Sequence, residues 1–122
     1  MLISINILMA IEEDLKKNIK EFLESAEDDL QKERYNSSIS SFFKAIAVMC
    51  DLKIYQDKRI LPKNHAERFL FLKTDYKESY LIVSLLFQRY KDSYNLRIKK
   101  NDALEVKKNV ERIRAIFRFK ED

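Results

Sequence analysis

The chain has 122 residues, a formal charge of +4 with 36% of residues charged, no glycine, one proline and one cysteine. That length suits one domain hiding roughly two-thirds of the surface its extended chain exposes, and the missing glycine argues against a sheet protein, whose tight positive-φ turns need it. The lone Cys50 excludes an internal disulfide and a cysteine-rich metal site and suits a reducing, cytoplasmic setting.

Residues 1–8, "MLISINIL", are apolar. A membrane span needs about 20 apolar residues and a signal peptide needs basic residues ahead of its core, so neither is expected. Residues 1–8 read as a frayed extension or an over-long start, ahead of a single domain over residues 9–120. From Ile11, apolar positions recur every three or four residues through Leu15, Ile19, Phe22, Ala26 and Leu30, which predicts a first helix to about Arg34. Its carboxylate clusters "EED" and "EDD" read as solvated faces, with nothing apolar around them to raise a pKa.

"YNSSIS" follows, where Asn36 or Ser37 is placed to cap a second helix. That helix carries Ile39, Phe42, Phe43, Ile46, Met49, Cys50 and Ile54, apolar around much of its circumference, with Cys50 on the buried side. "DKRILPKN" holds the one proline and marks a connection. Asn64 with Glu67 forms a capping pair that opens a short third helix to about Lys73. His65, the single histidine, stands at that helix start as a local packing or hydrogen-bonding residue and cannot build a metal site alone.

The spacing predicts a fourth helix from Tyr76 to about Ile98 with two apolar faces. At about 100° per residue, Tyr76, Tyr80, Val83, Phe87, Tyr90 and Tyr94 form one stripe, and Ile82, Leu85, Leu86, Ser93 and Leu96 form another. One face packs in the bundle, and the second predicts a homodimer built on helix 76–98. Arg89 lies in the second stripe, as a salt-bridge donor at the seam or as a phosphate contact. Arg97 falls beside Tyr90 and Tyr94 at the helix end, where a cation suits the dipole.

Asp102 with Glu105 reads as a capping pair for a last helix, whose inner side is Ala103, Val106, Val110, Ile113 and Phe117. Lys107, Arg114 and Arg118 share one side of it, with Lys99 and Lys100 upstream. Glu111 stands among them and can pair with Lys107 or Arg114. This is ordinary surface charge or, with Arg97, a weak nucleic-acid-binding patch. The expected fold is an all-α, up-and-down bundle of four to five helices, and the missing glycine rules out a phosphate-cradling loop.

The order of a long first helix, "YNSSISSFFKAIAVMCDLKI", a proline-histidine turn in "LPKNHAERF" and "QRYKDSYNLR" before a final amphipathic helix resembles the HEPN domains of prokaryotes, from Met9 to Phe117. The resemblance implies a helical bundle that often dimerises. Many such domains are metal-independent endoribonucleases, commonly toxins paired with a nucleotidyltransferase antitoxin, without a cofactor. Their motif is an arginine that steadies phosphate, then four to six residues, then a histidine that assists attack by the 2′-hydroxyl.

Here Arg89 is followed after four residues by Tyr94. A tyrosine with a pKa near 10 is ionised in only about one molecule in a thousand at pH 7, which makes it a poor general base. Residues five apart on an unbroken helix also point about 140° from each other. The expectation is therefore a HEPN-like, non-catalytic accessory module associated with RNA or a nucleotidyltransferase. The alternative is a divergent endoribonuclease using Arg89 with Tyr94 or with His65.

Overall fold

The structure, a computed structural model, describes residues 5–119. It is an all-α bundle of five helices: α1 (Ile5–Gln31), α2 (Tyr35–Lys58), α3 (His65–Asp75), α4 (Lys77–Asp92) and α5 (Lys100–Phe117). Among the described residues there is no strand, and no helix is long and apolar enough to cross a membrane. Residues 5–8, expected in a frayed extension, continue α1, and residues 1–4 lie outside the described part.

Helix α2 is the centre of the bundle, with α1, α3, α4 and α5 each packed against it. Ile39, Phe42, Phe43, Ile46, Met49, Cys50 and Ile54 are all buried, and so are Ala45, Ala47, Leu52 and Tyr55 on its remaining sides. Burial pushes the Cys50 thiol up to about 12, so it stays protonated and inert. The inner face expected for α5 is sealed as a set, with Ala103, Val106, Val110, Ile113 and Phe117 all in the core.

A close crossing joins α1 to α2. Ala26 and Ser38 are fully buried where the helices meet, and the Ser38 hydroxyl donates to the Ala26 carbonyl at 2.9 Å. Residues 32–34 connect the two helices. With no glycine to fill it, the left-handed position there falls to Glu33 (φ 61°), as it falls to Arg59 and Arg118 after α2 and α5.

Asp29 departs from the solvated reading of the acidic clusters. It is buried and accepts from Arg34 Nε at 2.8 Å and from the Ser37 hydroxyl at 2.7 Å. Burial acts to raise its pKa, but the Ser37 and Arg34 hydrogen bonds and the Arg34 and Lys32 charges outweigh that and hold the carboxyl below its ordinary value. Ser37 is thus spent on Asp29, and neither it nor Asn36 caps α2. The residue ahead of that helix is Arg34, with no side-chain cap.

The expected fourth helix is shortened at its C-terminal end. It stops at Asp92, and residues 93–99 form a connection held by Asn36. The Asn36 Nδ2 donates to the carbonyls of Ser93 (2.8 Å) and Leu96 (2.6 Å), while its Oδ1 accepts from the Ile98 amide (3.0 Å). A side chain on α2 satisfies the backbone groups that a continued helix would have used, so the chain turns. Asn64 does cap α3, accepting from the Glu67 amide at 2.9 Å. Asp102 and Glu105 do not form a capping box; α5 is preceded by Lys99, without a side-chain cap.

Two stability outcomes follow from these contacts. Phe42→Ala, at 1% exposure, is expected to cost about 3–5 kcal/mol in urea unfolding. Asn36→Ala removes three hydrogen bonds and is expected to cost about 2–3 kcal/mol and to raise amide exchange selectively over residues 93–98. Loss confined to the few tenths typical of a surface change would contradict the clamp.

Candidate functional site: an aromatic and imidazole ledge

Three helices build one cluster around His65. At the start of α3, His65 and Arg68 are one turn apart and meet: Arg68 Nη1 lies 2.7 Å from His65 Nδ1. An arginine has no acceptor, so Nδ1 must offer its lone pair and the imidazole proton sits on Nε2. Arg68 is fixed from behind by Asp51 of α2, through Nε to Oδ1 (2.8 Å) and Nη2 to Oδ2 (3.0 Å). This pair is largely shielded, at 11% and 15% side-chain exposure, and its two-point geometry locks the guanidinium plane. Burial and the Arg68 charge lower the His65 pKa from its ordinary value, and Asp51 partly opposes them.

Aromatic rings extend the cluster along α4. The His65 ring centroid lies 5.2 Å from Phe87 and 6.1 Å from Phe43. Tyr90 stacks on Phe43 at 4.8 Å with planes 19° apart. Tyr94 meets Tyr90 edge-on at 5.3 Å, and their hydroxyls are 2.7 Å apart. That hydrogen bond, with burial behind it, raises the Tyr90 pKa. The Lys91 ammonium sits 5.0 Å over the Phe87 ring. Tyr94 is 72% exposed and His65 is also exposed, so the cluster ends in an open ledge of rings, hydroxyls, an imidazole N–H and an ammonium.

The fold brings His65 and Tyr94 to this ledge and leaves Arg89 out of it. Arg89 faces α5, 3.7 Å from both Asp102 and Glu105, beyond hydrogen-bond distance but flanked by two carboxylates. An approaching phosphate would meet those two negative charges. Tyr94 takes Tyr90 instead, because the helix ends at Asp92 and a turn (Tyr94 N–H to the Lys91 carbonyl, 3.2 Å) folds the ring back.

The six basic residues expected as a nucleic-acid patch are dispersed. Arg97 lies in the connection, beside a shallow pocket lined by residues around Asn36, and not on a helical stripe with Tyr90. Lys99 and Lys100 stand exposed at the start of α5. Lys107 pairs with Glu27 of α1 at 3.0 Å, and not with Glu111. Arg114 and Arg118 face a separate trough.

Sequence reasoning missed Asp51, Arg68 and Lys91, and assigned Phe43 and Phe87 to apolar faces without a role in a site. The spacings His65/Arg68, Phe87/Lys91 and Tyr90/Tyr94 were available as helical neighbours. That Phe43 and Asp51 of another helix complete the cluster was not. Among the described residues no group of His, Cys, Asp and Glu could hold a metal ion. Comparison with protein-family models, curated proteins and solved structures finds no match to this chain.

The lowered His65 pKa has a definite sign. Protonation is disfavoured in the folded state, so stability is full above pH 6.5, the ordinary value, and falls as pH drops below it. The His65 Cε1 proton is expected to titrate by NMR below 6.5, and Arg68→Met is expected to move the midpoint upward. A midpoint at or above 6.5 in the unaltered protein would contradict the Arg68 contact.

Proposed function

We propose that this chain is a HEPN-like helical module that binds single-stranded RNA without cleaving it, as an accessory subunit to a nucleotidyltransferase or another RNA-acting partner in a toxin–antitoxin-like setting. The observation that carries the reading is the ledge of His65, Phe87, Tyr90 and Tyr94 with Lys91 beside it. The exposed rings of Tyr94 and His65, backed by half-buried Phe87 and Tyr90, offer faces on which bases stack, the imidazole N–H and the hydroxyls offer hydrogen bonds to base edges or 2′-hydroxyls, and the ammonium attracts phosphate.

The chemistry of the same groups argues for binding over cleavage. With Nδ1 engaged by Arg68, the other imidazole nitrogen carries its proton, so His65 is a hydrogen-bond donor and not a base. Tyr90, with its pKa raised, is ionised still more rarely and is no better placed to act as a general base. Arg89 is held between carboxylates. The endoribonuclease reading retains one supporting observation, an imidazole and two hydroxyls in a single exposed cluster. It requires Arg68 to release His65.

We further propose that the module works as a homodimer through α4. On the outer stripe Ile82 and Leu86 are buried by the chain itself, which narrows the expected interface. Leu81 and Leu85 remain 69% and 54% exposed, one turn apart, with Arg89 one turn further on. A leucine row on an otherwise charged surface supports a second copy as its cover.

Binding of a labelled oligouridine of about 15 nucleotides, in chelator and followed by anisotropy, tests the function. Tyr94→Ala is expected to weaken it by about 1–3 kcal/mol, with the RNA left intact. Unchanged affinity would refute the ledge, and cleavage abolished by His65→Ala would move the assignment to the nuclease. Light scattering after size exclusion is expected to give a dimer that Leu81→Glu with Leu85→Glu converts to monomer. A monomeric unaltered protein would remove the dimer.

A further inference from the structure

Helices α1 and α5 both pack on α2, and between them a trough of about 860 Å³ stays open. Its rims are basic: Lys16, Lys17 and Lys20 on α1, Arg114 and Arg118 at the end of α5. Against these five cations stand two carboxylates, Glu13 and Glu24. Glu13 is one turn from Lys17, and Glu24 one turn from Lys20. Yet none of the five cations forms an ion pair among the described residues, whereas Lys107, further along α5, is paired with Glu27 of α1. Lys16 with Lys20, and Arg114 with Arg118, are like charges one helical turn apart, an arrangement that costs stability in an isolated domain.

The floor is apolar. Met49 and Leu52 of α2 are sealed at its base, at 0% and 2% exposure, and half-buried Leu23 and Phe119 form its upper walls. With the stems of the lysines and arginines they make a greasy channel between two rows of positive charge. A trough bounded by two helices, with a third beneath, is the shape that an added helix fills.

We propose that this trough docks an acidic amphipathic helix of a partner protein. Its aliphatic side chains lie toward Leu23 and Phe119, and its glutamates and aspartates lie against the two cationic rims. The charge excess selects an acidic occupant. The mainly aliphatic floor favours a peptide over nucleic acid, because Phe119 alone offers no run of rings for stacking. The surface is separate from the His65–Tyr94 ledge, so the two proposals stand or fall independently.

The probe is a designed 18-residue helical peptide with leucines on one face and glutamates flanking them, compared with the same peptide carrying lysines in place of the glutamates and with oligouridine. Anisotropy on the full chain is expected to show salt-sensitive binding of the acidic peptide only. Lys20→Glu with Arg114→Glu is expected to weaken it by about tenfold or more, and the charge-matched Lys99→Glu with Lys100→Glu by less than about twofold. Leucine methyl spectra of the unaltered protein, in which Leu23 shifts on peptide addition, give a readout that needs no variant. Absence of acidic-peptide binding up to about 1 mM, equal binding of both peptides, equal loss in both double variants, or an unmoved Leu23 overturns the proposal. So does capture of oligouridine, in place of the peptide, through Lys20 and Arg114.

Discussion

Everything in this molecule hangs on α2 being enclosed by the other four helices. An apolar helix with Phe42, Phe43, Leu52 and Tyr55 buried on different sides cannot rest on one neighbour, and the domain is the arrangement that covers all of them. The same helix sets the candidate functional surface. Asn36, Phe43 and Asp51 fall within an arc of about 80° on an ideal helix, and each holds a different part of the ledge. Asn36 pins the connection that carries Tyr94, Phe43 supports Tyr90, and Asp51 orients Arg68 and through it His65. Rigid placement by a buried helix lets exposed rings keep a fixed geometry before any ligand arrives.

Much of the fold was legible in the sequence because it is written in one-dimensional period. The inner faces of α2 and α5 are the apolar positions that recur every three or four residues, and Asn64 with Glu67 is a local signal that works locally. The capping expectations fail in two ways. Asn36 and Ser37 are good capping residues by type, but each is hydrogen-bonded to another element, Asn36 to the Ser93 and Leu96 carbonyls and Ser37 to Asp29. Such tertiary bonds outweigh a cap that contributes about 1 kcal/mol, whereas Asp102 and Glu105 lie inside α5 because the helix already begins at Lys100. The apolar period of α4 runs on to Ile98 in the sequence, because the side chain that ends the helix, Asn36, lies on α2.

The candidate site was half legible. His65 and Tyr94 stood out as residue types, one the single imidazole and the other in the place of a histidine. Their convergence depends on a turn at Ser93 that the apolar pattern does not announce. Arg89 stood out equally and is taken up by α5. Charge distribution was the least legible feature, because rows of lysine on α1 and arginine on α5 become one trough only when both helices pack on α2. Composition gives a mild positive balance, whereas the folded surface separates paired cations, such as Lys107, from unpaired ones.

The central claim is that RNA lies across the rings joining α3 to the end of α4. Photocrosslinking with oligo-4-thiouridine, followed by mass spectrometry of the adducts, reads that position without altering the protein. The account predicts adducts on His65, Tyr90 or Tyr94. Adducts confined to the α1 and α5 rims, at Lys16, Lys20 or Arg114, would contradict it.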